Sequence, residues 1–285
     1  MKEALFYHSS SGVMICDLCP TTCQINDKQT GRCGTYVSMN QKLFNKRYGQ
    51  IVSLQMDPIE KKPLVHFFPH SHILSAGFFG CNLSCQFCQN HALSFGSEET
   101  LEYPIGELIS LAKKHNSLGI AFTYNEPFTM YEYIKDTFLL CREEHLKTVV
   151  VTNGYINPEP LRQLLPLIDA MNIDLKSMDN AMYQKICHGT IDPVLETIRT
   201  CQNRCHVEIT YLVIPGENDQ EEDFEKLASF LYPLNPEIPV HLSRYFPHYR
   251  FTLPPTSLET LRMGRSIVSQ KMKYVYLGNV AKGEL

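Results

Sequence analysis

From residue 73 onward the chain alternates short apolar runs with amphipathic helical stretches, and this alternation limits the fold more than any other feature. The runs fall at 73–79, 119–123, 148–152, 170–173, 207–214, 240–243 and 274–277. They are nearly continuous in apolar residues, the pattern of strands covered on both faces. Between them, 105–114 carries Leu108, Ile109 and Ala112 at helical spacing, and 127–144 carries Tyr131, Ile134, Phe138 and Leu139. Asp192-Pro193 reads as an N-cap followed by proline at the first helical position, and Thr256-x-x-Glu259 as a capping box behind Pro254-Pro255. About six strand–helix units predict an α/β fold with a parallel sheet, a partial (β/α)6 barrel of the TIM-like kind. In such folds chemistry gathers at the carboxyl ends of the strands, so functional residues should come just after each apolar run.

The chain has 285 residues, enough for that barrel at 73–285 and a smaller extension at 1–72. The extension reads as irregular and rich in cysteine. Apolar residues at 44% and charged residues at 20% are ordinary for a soluble protein. A net charge of −4 gives no basic face of the sort nucleic acid requires. No apolar run approaches the roughly 18 residues of a membrane span. The first twenty residues lack the apolar stretch of a signal peptide, so the protein is expected in the cytoplasm, with neither membrane nor nucleic acid among its partners. Eleven cysteines in a reducing compartment point to metal or catalytic roles rather than disulfides, and an odd number cannot pair completely.

The cysteines fall into groups. Cys81, Cys85 and Cys88 form C-x3-C-x2-C directly after the first apolar run, behind Gly77-Phe78-Phe79-Gly80. Three thiolates on one tight loop can hold three irons of a [4Fe–4S] cube and leave the fourth iron open. A zinc loop completed from Asn90-His91, or three unrelated buried thiols, is the alternative. Cys16, Cys19, Cys23 and Cys33 form a second group in Cys-Asp-Leu-Cys-Pro-Thr-Thr-Cys and Gly31-Arg32-Cys33-Gly34. Four thiolates suit a structural zinc, ahead of a second iron–sulfur cluster, with unligated reduced thiols as the third reading. Cys201-x3-Cys205-His206 reads as buried thiols, and His66, His70 and His72 as structural.

The later strand ends also carry polar residues. Thr123-Tyr124-Asn125-Glu126-Pro127 follows the second run, Thr152-Asn153-Gly154-Tyr155 the third, and Asp174-Leu175-Lys176 the fourth. In the fifth run, Thr210 and Leu212 alternate to the inward side. Glu126 is either a ligand for a cation or an acid at a helix N-terminus, and Asp174 with Lys176 is either a ligand-facing pair or an internal ion pair. His241 and Arg244 come at the sixth run, as substrate or cofactor contacts or as structural residues.

With Phe87 as the aromatic before the last cysteine, the triad motif resembles that of the radical S-adenosylmethionine (SAM) superfamily. Together with Cys16–Cys33, Asp57-Pro58-Ile59-Glu60-Lys61-Lys62-Pro63-Leu64 and 239–247, the chain resembles the radical SAM member of the AmmeMemoRadiSam system. That family is related to the activating enzymes of pyruvate formate-lyase and other glycyl radical enzymes. The resemblance implies a barrel of the radical SAM type, a [4Fe–4S] cluster on Cys81, Cys85 and Cys88, and SAM as cofactor. It implies that Glu126, in a Gly-Gly-Glu-Pro-like segment where Tyr124-Asn125 replace the glycines, receives the SAM amino group. It places Asn125, Thr152, Asn153, Asp174 and Lys176 around SAM, with Thr210 and Leu212 against its adenine. It implies reductive cleavage of SAM to a 5′-deoxyadenosyl radical that abstracts hydrogen from a substrate. The implied partners are the two other proteins of that system and an electron donor such as flavodoxin or ferredoxin. Family members often continue into a C-terminal Cys-x2-Cys tail that this sequence, ending at Leu285, does not show. A glycyl radical activase and a non-catalytic iron–sulfur or zinc scaffold are the competing readings.

Overall fold

The computed structural model describes residues 1–96, 100–281 and 283. The seven apolar runs all become strands of one eight-stranded sheet. Its members are β1 (Ser53–Pro58), β2 (His72–Gly77), β3 (Gly119–Phe122), β4 (Lys147–Thr152), β5 (Ala170–Asp174), β6 (His206–Val213), β7 (Val240–Arg244) and β8 (Val275–Gly278). Spatial order follows chain order, and β2 to β8 run parallel. Each crossover holds one helix of seven residues or more: α1 (Ile105–Lys114), α2 (Tyr131–Glu143), α3 (Pro158–Leu164), α4 (Asp192–Cys201), α5 (Glu221–Leu231) and α6 (Leu258–Val268). This is the partial barrel expected, six βα units ended by a seventh parallel strand. Helices on one face and a filled interior on the other explain why β3 is buried along its whole length.

The helices sit where their apolar spacing put them. Leu108, Ile109 and Ala112 are the buried residues of α1. In α2, Tyr131, Ile134 and Phe138 are buried, but Leu139 is 46% exposed, because one residue past Phe138 the helix has turned about 100° away from the sheet. Two caps differ by a residue from expectation. Ile191, not Asp192, is the N-cap of α4. Ser257, not Thr256, caps α6 and accepts from the Thr260 N–H at 2.9 Å. Thr256 is buried and donates to the Val213 carbonyl at 2.6 Å.

The expected boundary between residues 72 and 73 falls inside the sheet. β1 pairs antiparallel with β2, Ser53 opposite Gly77 and Pro58 opposite His72. The segment after β1 turns under the barrel, where Ile59, Leu64 and Phe67 pack on Ile73, Ala121, Val149 and Ala170. Residues 1–51 are not irregular either. They build two three-stranded antiparallel sheets, one of Lys2–Glu3, Lys42–Asn45 and Tyr36–Met39, the other of Tyr7–Ser10, Val13–Cys16 and Gln24–Ile25. Strands of two to four residues are too short to print a readable period. Among the described residues no helix is long and apolar enough to cross a membrane.

Candidate active site

A cavity of about 450 Å³ opens at the carboxyl ends of the parallel strands. Cys81, Cys85, Cys88 and Phe87 form one wall; Asn125, Asn153, Asp174, Lys176, Thr210 and Leu212 contribute to the others. Chain direction alone brings these together: each follows a strand or lies in its carboxyl half, and a parallel sheet points all such ends one way.

The cysteine loop leaves β2 through Gly80, whose φ of +98° a side chain would strain. Asn125 pins that exit, accepting from the Phe78 N–H at 3.1 Å and donating to the Gly80 carbonyl at 2.8 Å. From the far side the turn Tyr183–Cys187 holds the loop: the Ser84 N–H donates to the Cys187 carbonyl at 3.0 Å, and the Gln86 N–H to the Ile186 carbonyl at 3.1 Å. The sulfurs face donors. The Leu83 N–H serves Cys81 and the Asn90 N–H serves Cys88. Asn153 Nδ2 lies 3.6 Å from Cys81 Sγ, and Ser94 Oγ 3.6 Å from Cys88 Sγ. Burial pushes the Cys81 and Cys88 thiols above their usual range. The neighbouring Cys187 thiol, then burial, does the same to Cys85.

This donor set fits a cube better than a single ion. Zinc on bonds of about 2.3 Å would draw its ligands to roughly 3.8 Å of one another. Among the described residues no three Cys, His, Asp or Glu side chains are gathered to hold one ion. His91, the candidate fourth zinc ligand, stacks on Tyr249 with ring centroids 4.8 Å apart.

Glu126 does not line the cavity. It is 1% exposed and both oxygens are engaged. Oε1 accepts from the Phe128 N–H at 3.0 Å and the Thr152 hydroxyl at 2.8 Å; Oε2 accepts from the Asn153 N–H at 2.8 Å. Burial pushes its carboxyl up to about 7 against those three donors. Glu126 therefore caps the turn Pro127–Met130 and, with Thr152, which also stands behind the wall, braces Asn153. Tyr124, in the place of a glycine of the resembled segment, has φ +76°, the conformation a glycine adopts without strain.

Asp174 and Lys176 pair with each other and also line the cavity. Their ion pair is 2.7 Å long. Burial alone would depress the Lys176 ammonium, but Asp174 and Cys85 hold it above its ordinary range. Thr210 donates to Asn172 Oδ1 at 2.9 Å, and Asn172 Nδ2 to the Pro63 carbonyl at 2.9 Å. His241 is not at the cavity. It shares the inward face of β7 with Ser243 but comes two residues earlier, deeper in the barrel, 2.6 Å from Glu208 Oε2. Arg244 Nε donates to the Thr256 carbonyl at 2.8 Å, likewise away from the cavity.

Sequence reasoning missed Lys62, Tyr124, Asn172 and Ser243, all on the cavity wall. Lys62 is 1% exposed and reaches Asp57 at 2.6 Å, with its ammonium 4.4 Å from the Tyr124 ring centre. Burial raises and the bonds from Lys62, Tyr124 and Lys61 lower the Asp57 carboxyl, which ends well below the usual range. The available signal was Asp57 four and five residues before two lysines, a buried cation with its counter-charge at hand. Cys16, Cys19, Cys23 and Cys33 come together around a separate small cavity that Asn82 and Tyr155 also line.

The family model described as Radical SAM superfamily matches residues 77–231. An uncharacterized protein of Methanocaldococcus jannaschii is 39% identical over 288 residues, 98% of this chain and 86% of that one. The pyruvate formate-lyase 1-activating enzyme of Escherichia coli is 28% identical over 161 residues, 54% of this chain and 65% of the enzyme. A solved domain of pyruvate-formate lyase-activating enzyme from Bacteroides vulgatus has a TM-score of 0.50 and 25% identity, over 56% of this chain and 99% of that domain. With a family match over more than half its length and a parallel barrel that gathers three loop cysteines at one cavity, this chain belongs to the radical SAM superfamily, enzymes that use a [4Fe–4S] cluster to cleave S-adenosylmethionine reductively.

Proposed function

We propose that Cys81, Cys85 and Cys88 are the cluster ligands and that the adjoining cavity takes SAM together with a substrate that loses hydrogen. The observation that carries this reading is that the three cysteines of one loop and the Asp174–Lys176 pair line the same cavity. When bound, cluster and SAM supply one-electron cleavage of the sulfonium and a 5′-deoxyadenosyl radical. The chain's residues bind and orient. Asp174 and Lys176 offer charges of both signs, as the ammonium and carboxylate of an amino acid require. Asn153 fixes the Cys81 side of the loop and is itself held by Glu126 and Thr152. Thr210 and Leu212 present a hydroxyl beside an apolar surface, suited to a nucleoside base. Phe87, Leu83 and Val151 exclude water from the same space.

Within the superfamily, the motif set favours the AmmeMemoRadiSam system, with its two other proteins as partners and flavodoxin or ferredoxin as electron donor. The similarity to the Escherichia coli activating enzyme supports a second reading, an activase that acts on the backbone glycine of a partner. Anaerobic reconstitution, reduction with dithionite and assay for 5′-deoxyadenosine test the site. Wild type should produce it and Cys85→Ala should not; a Cys85→Ala protein that still cleaved SAM would remove the assignment. A lasting glycyl radical signal on a partner would select the activase reading.

A further inference from the structure

The four cysteines of the N-terminal sheets stand on the first hairpin and the loops beside it, far from the triad in sequence but next to it in space. Cys16, Cys19, Cys23 and Cys33 line one cavity of about 20 Å³, walled by Tyr36, Phe128 and Ile156 and offering no histidine or carboxylate. Each sulfur is met by a backbone N–H: Leu18 for Cys16, Thr21 for Cys19, Arg32 at 3.5 Å for Cys23, and Thr35 with Tyr36 for Cys33. In three of the four the donor is two residues along, as with Leu83 for Cys81 and Asn90 for Cys88. A neutral thiol is a weak acceptor, so an array of donors aimed at sulfur is built for thiolate charge. The hydroxyls of Thr21 and Thr35 are buried with no hydrogen bond of normal geometry, and each faces a sulfur, Cys19 and Cys33 respectively.

We propose that Cys16, Cys19, Cys23 and Cys33 hold a second iron–sulfur cluster, with all of its cysteine positions filled by protein, seated against the loop of the first. Zinc, the expectation from spacing, would contract four sulfurs to roughly 3.8 Å of one another. Among the described residues no such gathering exists, in this quartet or in the triad. The quartet shares with the triad the features that fit a cube there, a comparison that rests on the reading of the triad given above. Four thiolates are the usual complement of a [2Fe–2S] or [4Fe–4S] centre.

The two sites share a wall. A Cβ on Gly80 would stand 2.2 Å from the Cys33 carbonyl, so only glycine fits between the quartet and Cys81. Asn82, the residue after Cys81, donates to the Tyr155 carbonyl at 2.6 Å, and both line the quartet's cavity. Arg32 donates to Ser84 Oγ and to the His188 carbonyl, each at 2.8 Å.

The test is metal and sulfide content of the full-length chain in which Cys81, Cys85 and Cys88 are all alanine, reconstituted without oxygen with iron and sulfide. Iron and acid-labile sulfide in equal amounts, about two or four of each per chain, are expected. One zinc with no sulfide, or no metal, would overturn the proposal. A variant that fails to fold leaves the wild type to decide. After reduction it should give two paramagnetic signals, one altered by SAM and one indifferent to it, the second missing in Cys16→Ser/Cys19→Ser. A single signal wholly altered by SAM would overturn the proposal; two signals both indifferent would instead remove the reading of the triad.

Discussion

At the scale of single residues, the Glu126 carboxylate has three donors on it and does not line the cavity. Its amide analogue keeps the shape but turns one acceptor into a donor pointed at N–H or hydroxyl. Glu126→Gln should therefore cost roughly 1–3 kcal/mol of stability, the range for burying unsatisfied polar groups. It should weaken SAM binding less than tenfold, since it acts through Asn153. Asp174→Asn removes a charge on the cavity wall and leaves Lys176 without its partner, so SAM affinity should fall by tenfold or more, the equivalent of at least about 1.4 kcal/mol. Denaturant titration and equilibrium dialysis on the reconstituted proteins separate the two effects. Intact stability with lost SAM binding in Glu126→Gln would return that carboxylate to the cofactor, as the motif alone suggests. The motif carried the residue's place in the chain, but not which way its side chain turns, because the acid of a helix N-terminus and the acid of a ligand site have the same sequence context.

Elements were legible in proportion to how regular their burial is. β2 to β8 lie between helices and a filled interior, so their apolar runs are continuous and their ends fall within a few residues of expectation. The segment after β1 has no regular period, because Ile59, Leu64 and Phe67 plug the barrel from irregular backbone. Beneath the cavity the sequence leaves the inward residues open for a related reason: position along a strand, not the strand alone, decides whether a side chain meets ligand or core. Glu208 is the clearest case, joining β6, β7 and the plug. It accepts from the His66 N–H at 2.8 Å and meets His206 at 2.9 Å and His241 at 2.6 Å. Burial opposes its ionisation, but His206, His241 and the His66 N–H together bring its carboxyl down to about 2. A depressed carboxyl stabilises the fold above its unfolded value, and that contribution is lost as pH falls through the folded one. Wild type should thus lose up to roughly 3 kcal/mol relative to Glu208→Gln between about pH 4.5 and pH 2. Urea midpoints of both proteins across that window measure it. Curves that stay parallel would mean the carboxyl is not depressed.

For the whole molecule, the composition shift near residue 72 suggested two units, whereas packing makes one. Ala4, Met14, Ile25, Tyr36 and Leu43 belong to the same core as the barrel's Phe128, Tyr131 and Ile134. A break in sequence texture records a change from short antiparallel strands to parallel βα units and says nothing about whether the two share a core. The seam is held by polar groups as well. Glu132 on α2 is 1% exposed and accepts from the Leu5 N–H at 3.1 Å, the Tyr36 hydroxyl at 2.9 Å and Asn45 Nδ2 at 3.1 Å. Asn157, which precedes α3, donates through its side chain to the Asp17 carbonyl at 2.7 Å. Glu132→Ala would leave two buried donors, the Tyr36 hydroxyl and the Asn45 amide, without an acceptor and free the less buried Leu5 N–H, at a cost of roughly 2 kcal/mol or more. If the extension and barrel are one cooperative unit, urea should unfold this variant in a single transition moved to lower concentration with its slope kept. Exchange of backbone hydrogens should then rise along the whole chain. If residues 1–51 were instead an independent appendage, they alone would lose protection in an earlier step, and the barrel would unfold at the wild-type midpoint.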